Sequence, residues 1–543
     1  MVIEGSKSTR ALPVLAGLAC FSGAFVLVNF KPLLFKVYYR LAAAHDPWDA
    51  ALNAGSFALQ ALMLLLAVTL LPPAAAVVLL VLASVSALVH LSYEQVLGVY
   101  LDQGGMSWML SETRQLGPAL LQFSGSFALA AIKTIVFCGL LLLARHMFRR
   151  GLPHGWHRYT PRRWTAALCI LLVIALPAQV TRAMRLPLSS ETSIYAMTAS
   201  TLTERYPGRT AVLVKPEPGR SLAKIVWLVD ESVAYGHFRL AVGSHLERHG
   251  PIDFGETASM GNCSSPSNAA LRWGIDVARV DASTDLRATP SIWGFAKVAG
   301  YRTTLIDGQV SGAPQNMVFA PERALIDSFV AARAGIDTDR SIAVKINGIL
   351  TRPGRDFIYA VLRGAHYAYE SNYPPGLLAN ATVQQKYVAA ISYSKHGFFD
   401  AVLSDVDRQT TAVFYTSDHG QDLTSEQVPH CSIHPKWQEF AVPLIAFLPP
   451  ASAASMASSG RIGIANARHS HSQIFSTTLW LMGYDRHFAE QNYDSLLDKA
   501  PKAFVWFGRR IVPGADGEPI ELHRGDHFPG SLSTNSALAP LRP

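Results

Sequence analysis

Apolar positions are distributed unevenly along the chain, with the long apolar runs crowded before about residue 180. A helix that crosses a bilayer needs about 20 mainly apolar residues. Five stretches approach this: 11–30, 56–71, 74–91, 120–143 and 164–180. Pro72 and Pro73 break the run between the second and third, which predicts a tight helical hairpin. Lys7 and Arg10 precede the first stretch, as in a signal peptide, but no small-residue cleavage site follows and further spans do. The first stretch is therefore read as a retained anchor.

The pattern changes after residue 222. Short apolar runs at 224–229, 303–306, 357–362, 411–416 and 444–447 alternate with amphipathic stretches, notably 384–406. This alternation predicts a largely parallel sheet covered by helices on both faces. In such sheets the active site forms beyond the carboxyl ends of the strands. The expected organisation is a five-helix transmembrane domain over 1–180, an interfacial linker over 181–222 carrying Pro207, Pro216 and Pro218, and a soluble α/β domain over 223–543. Residues beyond about Arg524 are expected to be loosely ordered.

Composition agrees with this mixture, with 50% hydrophobic and only 16% charged residues. The net charge of +8 has a topological reading, because much of the excess flanks apolar stretches. Arg145, Arg149, Arg150, Arg158, Arg162 and Arg163 lie between the fourth and fifth stretches and assign that loop to the cytoplasm. Lys7 and Arg10 put the N-terminus on the same side, against a weaker signal from Lys31, Lys36 and Arg40. Five spans then carry the soluble domain across the membrane, which for a bacterial protein is expected to be the inner membrane with this domain in the periplasm. No basic stripe interleaved with aromatics appears, so nucleic acid is excluded as a partner. Of five cysteines, Cys20, Cys138 and Cys169 fall in apolar runs; Cys263 and Cys431 remain, able to pair in an oxidising compartment.

Chemistry is concentrated at two predicted strand ends. The run 224–229 leads into Asp230, Glu231 and Ser232, and 411–416 leads into Ser417, Asp418, His419 and Gly420. Carboxylates and an imidazole from two strand ends can converge on one cation, zinc by preference with manganese as the alternative. Between them, Cys263, Ser264, Ser265, Pro266 and Ser267 precede an alanine-rich run and read as a helix start. Free N–H groups there suit a phosphate. A serine hydroxyl at that point becomes a nucleophile once a metal lowers its pKa. Taken singly, the acids also read as helix caps and the serines as a plain N-cap.

Taken together, the three elements resemble the alkaline phosphatase and sulfatase superfamily, and most closely the membrane phosphoethanolamine transferases typified by the lipid A phosphoethanolamine transferases. Those pair five spans with a periplasmic sulfatase-like domain. The stretch 226–232 is similar to the family's first metal-ligand strand, where Glu231 is the implied ligand and Asp230 replaces a glycine. Tyr415 to Gly420 resembles the Ser-Asp-His-Gly signature, Arg363 to His366 a Gly-Ser-His-Gly-Pro stretch, and Ser470 to Phe475 a Ser-His-Asp-Asn segment. Ser264 to Leu271 resembles the sulfatase run Cys-Ser-Pro-Ser-Arg-Ala-Ala-Leu and selects Ser264 as nucleophile, whereas alignment on Cys263 selects Ser267, with Ser265 the third choice. Asn268 in place of the sulfatase arginine, and a serine in place of its cysteine, point away from a true sulfatase. Lys395 stands where relatives have aspartate.

The resemblance implies that Glu231, Ser264, Asp418 and His419 hold zinc or manganese, that His366, His434 and, second to it, Lys436 contact the phospho-group, and that His471 helps to move protons. Ser265 and Ser267 are expected at the substrate. The implied reaction transfers phosphoethanolamine from phosphatidylethanolamine to lipid A or another periplasmic glycan or lipid, through a phospho-serine intermediate. The same residues would serve a phosphoglycerol transferase or a water-using phosphodiesterase or sulfatase; a receptor with a degenerate catalytic domain is the non-enzymatic alternative.

Overall fold

The computed structural model describes the chain apart from residues 1–4, 43–44, 99, 112, 114–115, 152–162, 185, 204, 334, 379, 405, 425–428, 433–434, 459–467, 499, 509–510, 512–519, 521 and 526–543. The chain divides into two compact units, one made mainly of Met1–Leu110 and Gln115–Glu204, the other mainly of Arg205–Pro513.

The first unit is helical, with α1 (Gly5–Leu33), α2 (Pro47–Leu70), α3 (Pro73–Leu97), α4 (Ser124–Gly151) and α5 (Arg163–Met184). Among the described residues, four helices are long and apolar enough to cross a membrane: Ala11–Ala42, Pro47–Leu70, Pro73–Leu97 and Ser124–Gly151. The fifth expected span falls on α5, whose apolar stretch Thr165–Leu176 is shorter. Phe21, Phe57, Leu79 and Phe137 share the core of this unit. Pro72 lacks an N–H and Pro73 opens α3, so carbonyls at the end of α2 lose helical partners. Arg145 of α4 donates to two of them, Val68 O and, at 2.6 Å, Leu71 O.

Polar side chains inside the helices hold the segment that follows α5. Asn29 Nδ2 donates to Glu191 Oε1 at 2.6 Å, Ser86 Oγ to Ser190 O at 2.6 Å, and Gln60 Oε1 accepts from Ser189 N at 2.8 Å. Buried amides and hydroxyls need such partners. They draw the helical unit on to Glu204, beyond the end of the apolar pattern.

In the second unit the order is β1 (Lys224–Asp230), α6 (Tyr235–Glu247), β2 (Ile252–Ala258), α7 (Ser264–Arg272), β3 (Arg302–Asp307), β4 (Ser328–Ala331), α8 (Thr338–Leu350), β5 (Asp356–Val361), α9 (Val383–Ser404), β6 (Thr411–Ser417), β7 (Ala441–Phe447), β8 (His469–Ser470) and α10 (Ser472–Leu481). The eight strands form one sheet in the order β4-β3-β5-β1-β6-β7-β2-β8. β7 runs antiparallel to both its neighbours, while the other pairs are parallel.

The central strands β1, β5 and β6 are buried along their whole length, because helices cover both faces. Alternate residues serve opposite layers. Ile225, Trp227 and Val229 pack with Leu271, Trp293 and Phe475, while Val226 and Leu228 pack with Phe238, Ile346 and Phe398.

Candidate active site

The register of β1 against β6 pairs Asp230 with Ser417. The residues that follow, Glu231 and Asp418, therefore leave neighbouring parallel strands side by side at their carboxyl ends. His419 comes one residue later. Glu231, Asp418 and His419 are all buried, and one ligand atom from each lies within 4.8 Å of the others.

α7 brings the serines to this point. Cys263 is extended and Ser264 is the first helical residue. Ser264 Oγ lies 3.1 Å from Glu231 Oε1 and 3.1 Å from His419 Nε2. Ser267 faces elsewhere: its hydroxyl donates to the main-chain carbonyl of Asp418. Ser265 Oγ is 3.4 Å from Asn316 Oδ1. Asn268 Nδ2 donates to Ser264 O at 3.0 Å, and Asn268 Oδ1 accepts from Tyr359 OH at 2.8 Å. Cys263 and Cys431 form a disulfide, which ties the residue before Ser264 to the segment after β6.

The trio is held from behind. His419 Nδ1 lies 2.8 Å from Gly420 O, which can only accept, so Nδ1 carries a proton and Nε2 is the ring nitrogen turned to the cluster. Glu231 accepts from Ser232 Oγ and Gln309 Nε2, both at 2.7 Å. Asp418 Oδ1 accepts from Ser232 N at 3.0 Å and His419 N at 2.7 Å. The loop after β5 closes over Glu231 at Gly364, whose φ is 62°. A Cβ at Gly364 would meet Glu231 O at 2.3 Å, so no larger residue fits.

Electrostatics make the site short of positive charge. Burial, reinforced by the adjoining Glu231 carboxylate, pushes the Asp418 carboxyl well above its usual range. Burial would also raise Glu231, but the hydrogen-bonded His419 outweighs it and holds Glu231 well below. Burial opposes a charge on His419, yet Asp418 and Glu231 push its imidazole up to about 9. Two buried carboxylates crowding one imidazole, with a hydroxyl against both types of group, fit a divalent cation.

Asp230, the residue before Glu231, turns away from the trio. Its Oδ1 accepts from Glu231 N at 3.0 Å, and its Oδ2 accepts from Tyr415 OH at 2.5 Å and lies 2.9 Å from Lys395 Nζ. Lys395 Nζ also lies 2.5 Å from Asp339 Oδ2. Asp230 and Lys395, with Asp339, therefore belong to one buried ion-pair group.

The other expected residues are distributed differently. His366 follows β5, and its ring centroid is 6.5 Å from that of His430. His430 in turn stacks on His419 at 4.5 Å. Burial, with His419 and His366 nearby, holds His430 well below the usual histidine range, so it is neutral. His434, preferred from sequence, lies outside the described residues. Lys436 Nζ pairs with Asp422 Oδ2 at 2.7 Å. His471 Nε2 lies 2.8 Å from Thr416 Oγ1, and burial lowers its imidazole to about 3. His430, four residues before His434, is the histidine of this segment that the described residues place beside His419. The cysteines carried the missing signal: Ser264 follows Cys263 and His430 precedes Cys431, so pairing the cysteines brings serine and histidine to one place.

Residues 244–484 match the family model described as Sulfatase. The fold is shared with the integral membrane lipooligosaccharide phosphoethanolamine transferase A from Neisseria meningitidis, at 15% identity, 85% coverage of this chain, 96% of that chain and a TM-score of 0.51. The C-terminal periplasmic domain of EcEptC from Escherichia coli, in complex with Zn, also matches, at 16% identity, 55% coverage of this chain, 93% of that chain and a TM-score of 0.46. No curated protein sequence matches significantly.

Proposed function

We propose that this chain, whose residues 244–484 match the Sulfatase family model, is a membrane-anchored, metal-dependent phosphoethanolamine transferase. The observation that carries the reading is the Ser264 hydroxyl at the first turn of α7, 3.1 Å from both Glu231 and His419. The full-length relative of this fold, a lipooligosaccharide phosphoethanolamine transferase, supports the same class of reaction.

Glu231, Asp418 and His419, with Ser264, would hold zinc or manganese. Such an ion lowers the pKa of a bound hydroxyl and screens phosphate charge. Ser264 Oγ attacks the phosphorus of phosphatidylethanolamine: the Oγ–P bond forms, the bond from phosphorus to the diacylglycerol oxygen breaks, and diacylglycerol departs with a proton. An acceptor hydroxyl then attacks the same phosphorus, the P–Oγ bond breaks, and Ser264 recovers its proton. N–H groups of the first turn of α7 face the phosphate oxygens. Neutral His430, with His366 beyond it, supplies ring N–H donors to those oxygens. The apolar helices anchor the enzyme in the membrane that contains its lipid donor, with five spans and a periplasmic catalytic unit as the arginine distribution implies. Lipid A or another surface glycan is the acceptor.

Mass spectrometry of lipid A and surface glycans, with and without the protein, tests this reading. The expected result is one added phosphoethanolamine unit on a single acceptor class. A mass matching phosphoglycerol would assign the other head group, and an unchanged profile in every fraction would count against transfer.

A further inference from the structure

Away from the strand-end site, α6 and α9 bring together two pairs of residues spaced four apart. His245 and His249 come from the end of α6 and the turn after it, and His396 and Asp400 from α9. A spacing of four puts both members of a pair on one helix face. His245 Nε2 and His249 Nε2 each lie 3.0 Å from Asp400 Oδ1. One ligand atom from each of these three residues lies within 4.8 Å of the others.

The surroundings prepare the histidines and leave the mouth to a replaceable group. His396 stacks flat on His245, with centroids 4.3 Å apart and planes 4° apart. His396 is itself fixed, since its Nε2 lies 2.8 Å from Ala241 O. The His245 and His249 side chains are only 17% and 18% exposed, whereas Arg248 is 54% exposed. Arg248 Nη2 reaches the two Asp400 oxygens at 2.7 and 2.9 Å and also touches the His245 ring nitrogens. Among the described residues, the cation on the Asp400 carboxylate is thus a long, mostly solvated arm, set beside two held imidazoles, while Arg408 Nη1 donates to the His249 main-chain carbonyl at 2.7 Å.

We infer that His245, His249 and Asp400 form a second cation site that takes a borderline transition-metal ion, zinc first, displacing Arg248. Two imidazole nitrogens and one carboxylate oxygen suit zinc better than magnesium or calcium, whose sites are built from oxygen. The bound ion would clamp α6 to α9, two helices that cover one face of the sheet. Nothing in this inference depends on the transferase reading.

Zinc titration of the full-length protein in detergent, stripped with a chelator and dialysed, tests it. The native protein is expected to bind one more equivalent than His245→Ala/His249→Ala. Asp418→Ala is expected to lose a different equivalent, so that the combined variant loses both. Asp400→Asn keeps the side-chain shape and is expected to weaken the second equivalent by at least about tenfold. Arg248→Ala removes the competing charge and is expected to tighten it by on the order of tenfold. Equal zinc content in the native protein and the double variant, or weaker binding in Arg248→Ala, would overturn the inference.

Discussion

Ser264 Oγ and Glu231 Oε1 lie 3.1 Å apart, although 33 positions separate the two residues in the chain. The contact exists because α7 starts where β1 ends. It gives the three serines of that segment different fates. Ser264→Ala is expected to lower transfer of a labelled head group by at least about 10³-fold, as loss of a nucleophile does. Ser267→Ala loses only the hydrogen bond to the Asp418 carbonyl and should stay within about tenfold of the native rate. Equal losses in the two variants would contradict the assignment.

Asp418 should show opposite effects on stability with and without metal. In the metal-free protein it is a buried carboxylate crowded by Glu231. Asp418→Asn is therefore expected to raise the stability of chelator-treated protein by about 1 kcal/mol. With zinc at 100 times its dissociation constant, a native site gains about 2.7 kcal/mol that the variant lacks. Chemical denaturation with chelator and with zinc checks both signs, and a variant destabilised equally in both conditions would argue against a metal role.

Asp230, Lys395 and Asp339 form one buried ion-pair group behind the strand-end site. Lys395 is buried and faces both carboxylates. Lys395→Met leaves two buried acids without a cation and is expected to cost about 3–5 kcal/mol. Adding Asp230→Gly removes one of the two acids and should restore part of that loss. Denaturant midpoints of the single and double variants measure it; additive losses would contradict the pairing.

Glu322 anchors the far end of α7. It accepts from Arg272 Nε at 2.8 Å, Arg209 Nη2 at 3.2 Å, and the indoles of Trp273 and Trp293 at 3.0 Å each. Burial alone would raise its carboxyl, but Arg272 and Arg209 outweigh burial and hold it below the ordinary 4.5. A depressed carboxyl stabilises the fold fully above its unfolded value and loses that contribution as pH falls through the folded one. Glu322→Gln is expected to cost about 3 kcal/mol near neutral pH, with the deficit shrinking in acid below about pH 4.5. A deficit independent of pH would mean that the carboxylate charge plays no part.

The parts of the fold that sequence revealed are those where burial is complete. β1 and β6 carry apolar runs, 225–229 and 412–415, with acids soon after them, so both the strands and the polar residues at their ends could be read. β2 escaped because Asp253, Gly255 and Glu256 interrupt its apolar character, and the strand has a register irregularity between Asp253 and Glu256. β4 has only four residues, none fully buried. The metal-type trio was legible because Glu231 and Asp418 directly follow strands and His419 comes one residue later. The place of His430 was not, since its loop has no periodicity and is held by long-range ties, the Cys263–Cys431 disulfide and the hydrogen bond from Cys431 N to Asn262 O. Asp230 and Lys395 each looked anomalous alone, because a long-range ion pair leaves no local pattern.

The central claim is a covalent phospho-group on Ser264. Rapid acid quenching of the enzyme with phosphatidylethanolamine, followed by proteolysis and peptide mass spectrometry, tests it most directly. The account predicts one phosphoethanolamine unit on the peptide containing Ser264, with fragment ions assigning it to that residue and no adduct in Ser264→Ala. An adduct on Ser267, or full transfer activity in Ser264→Ala, would contradict it.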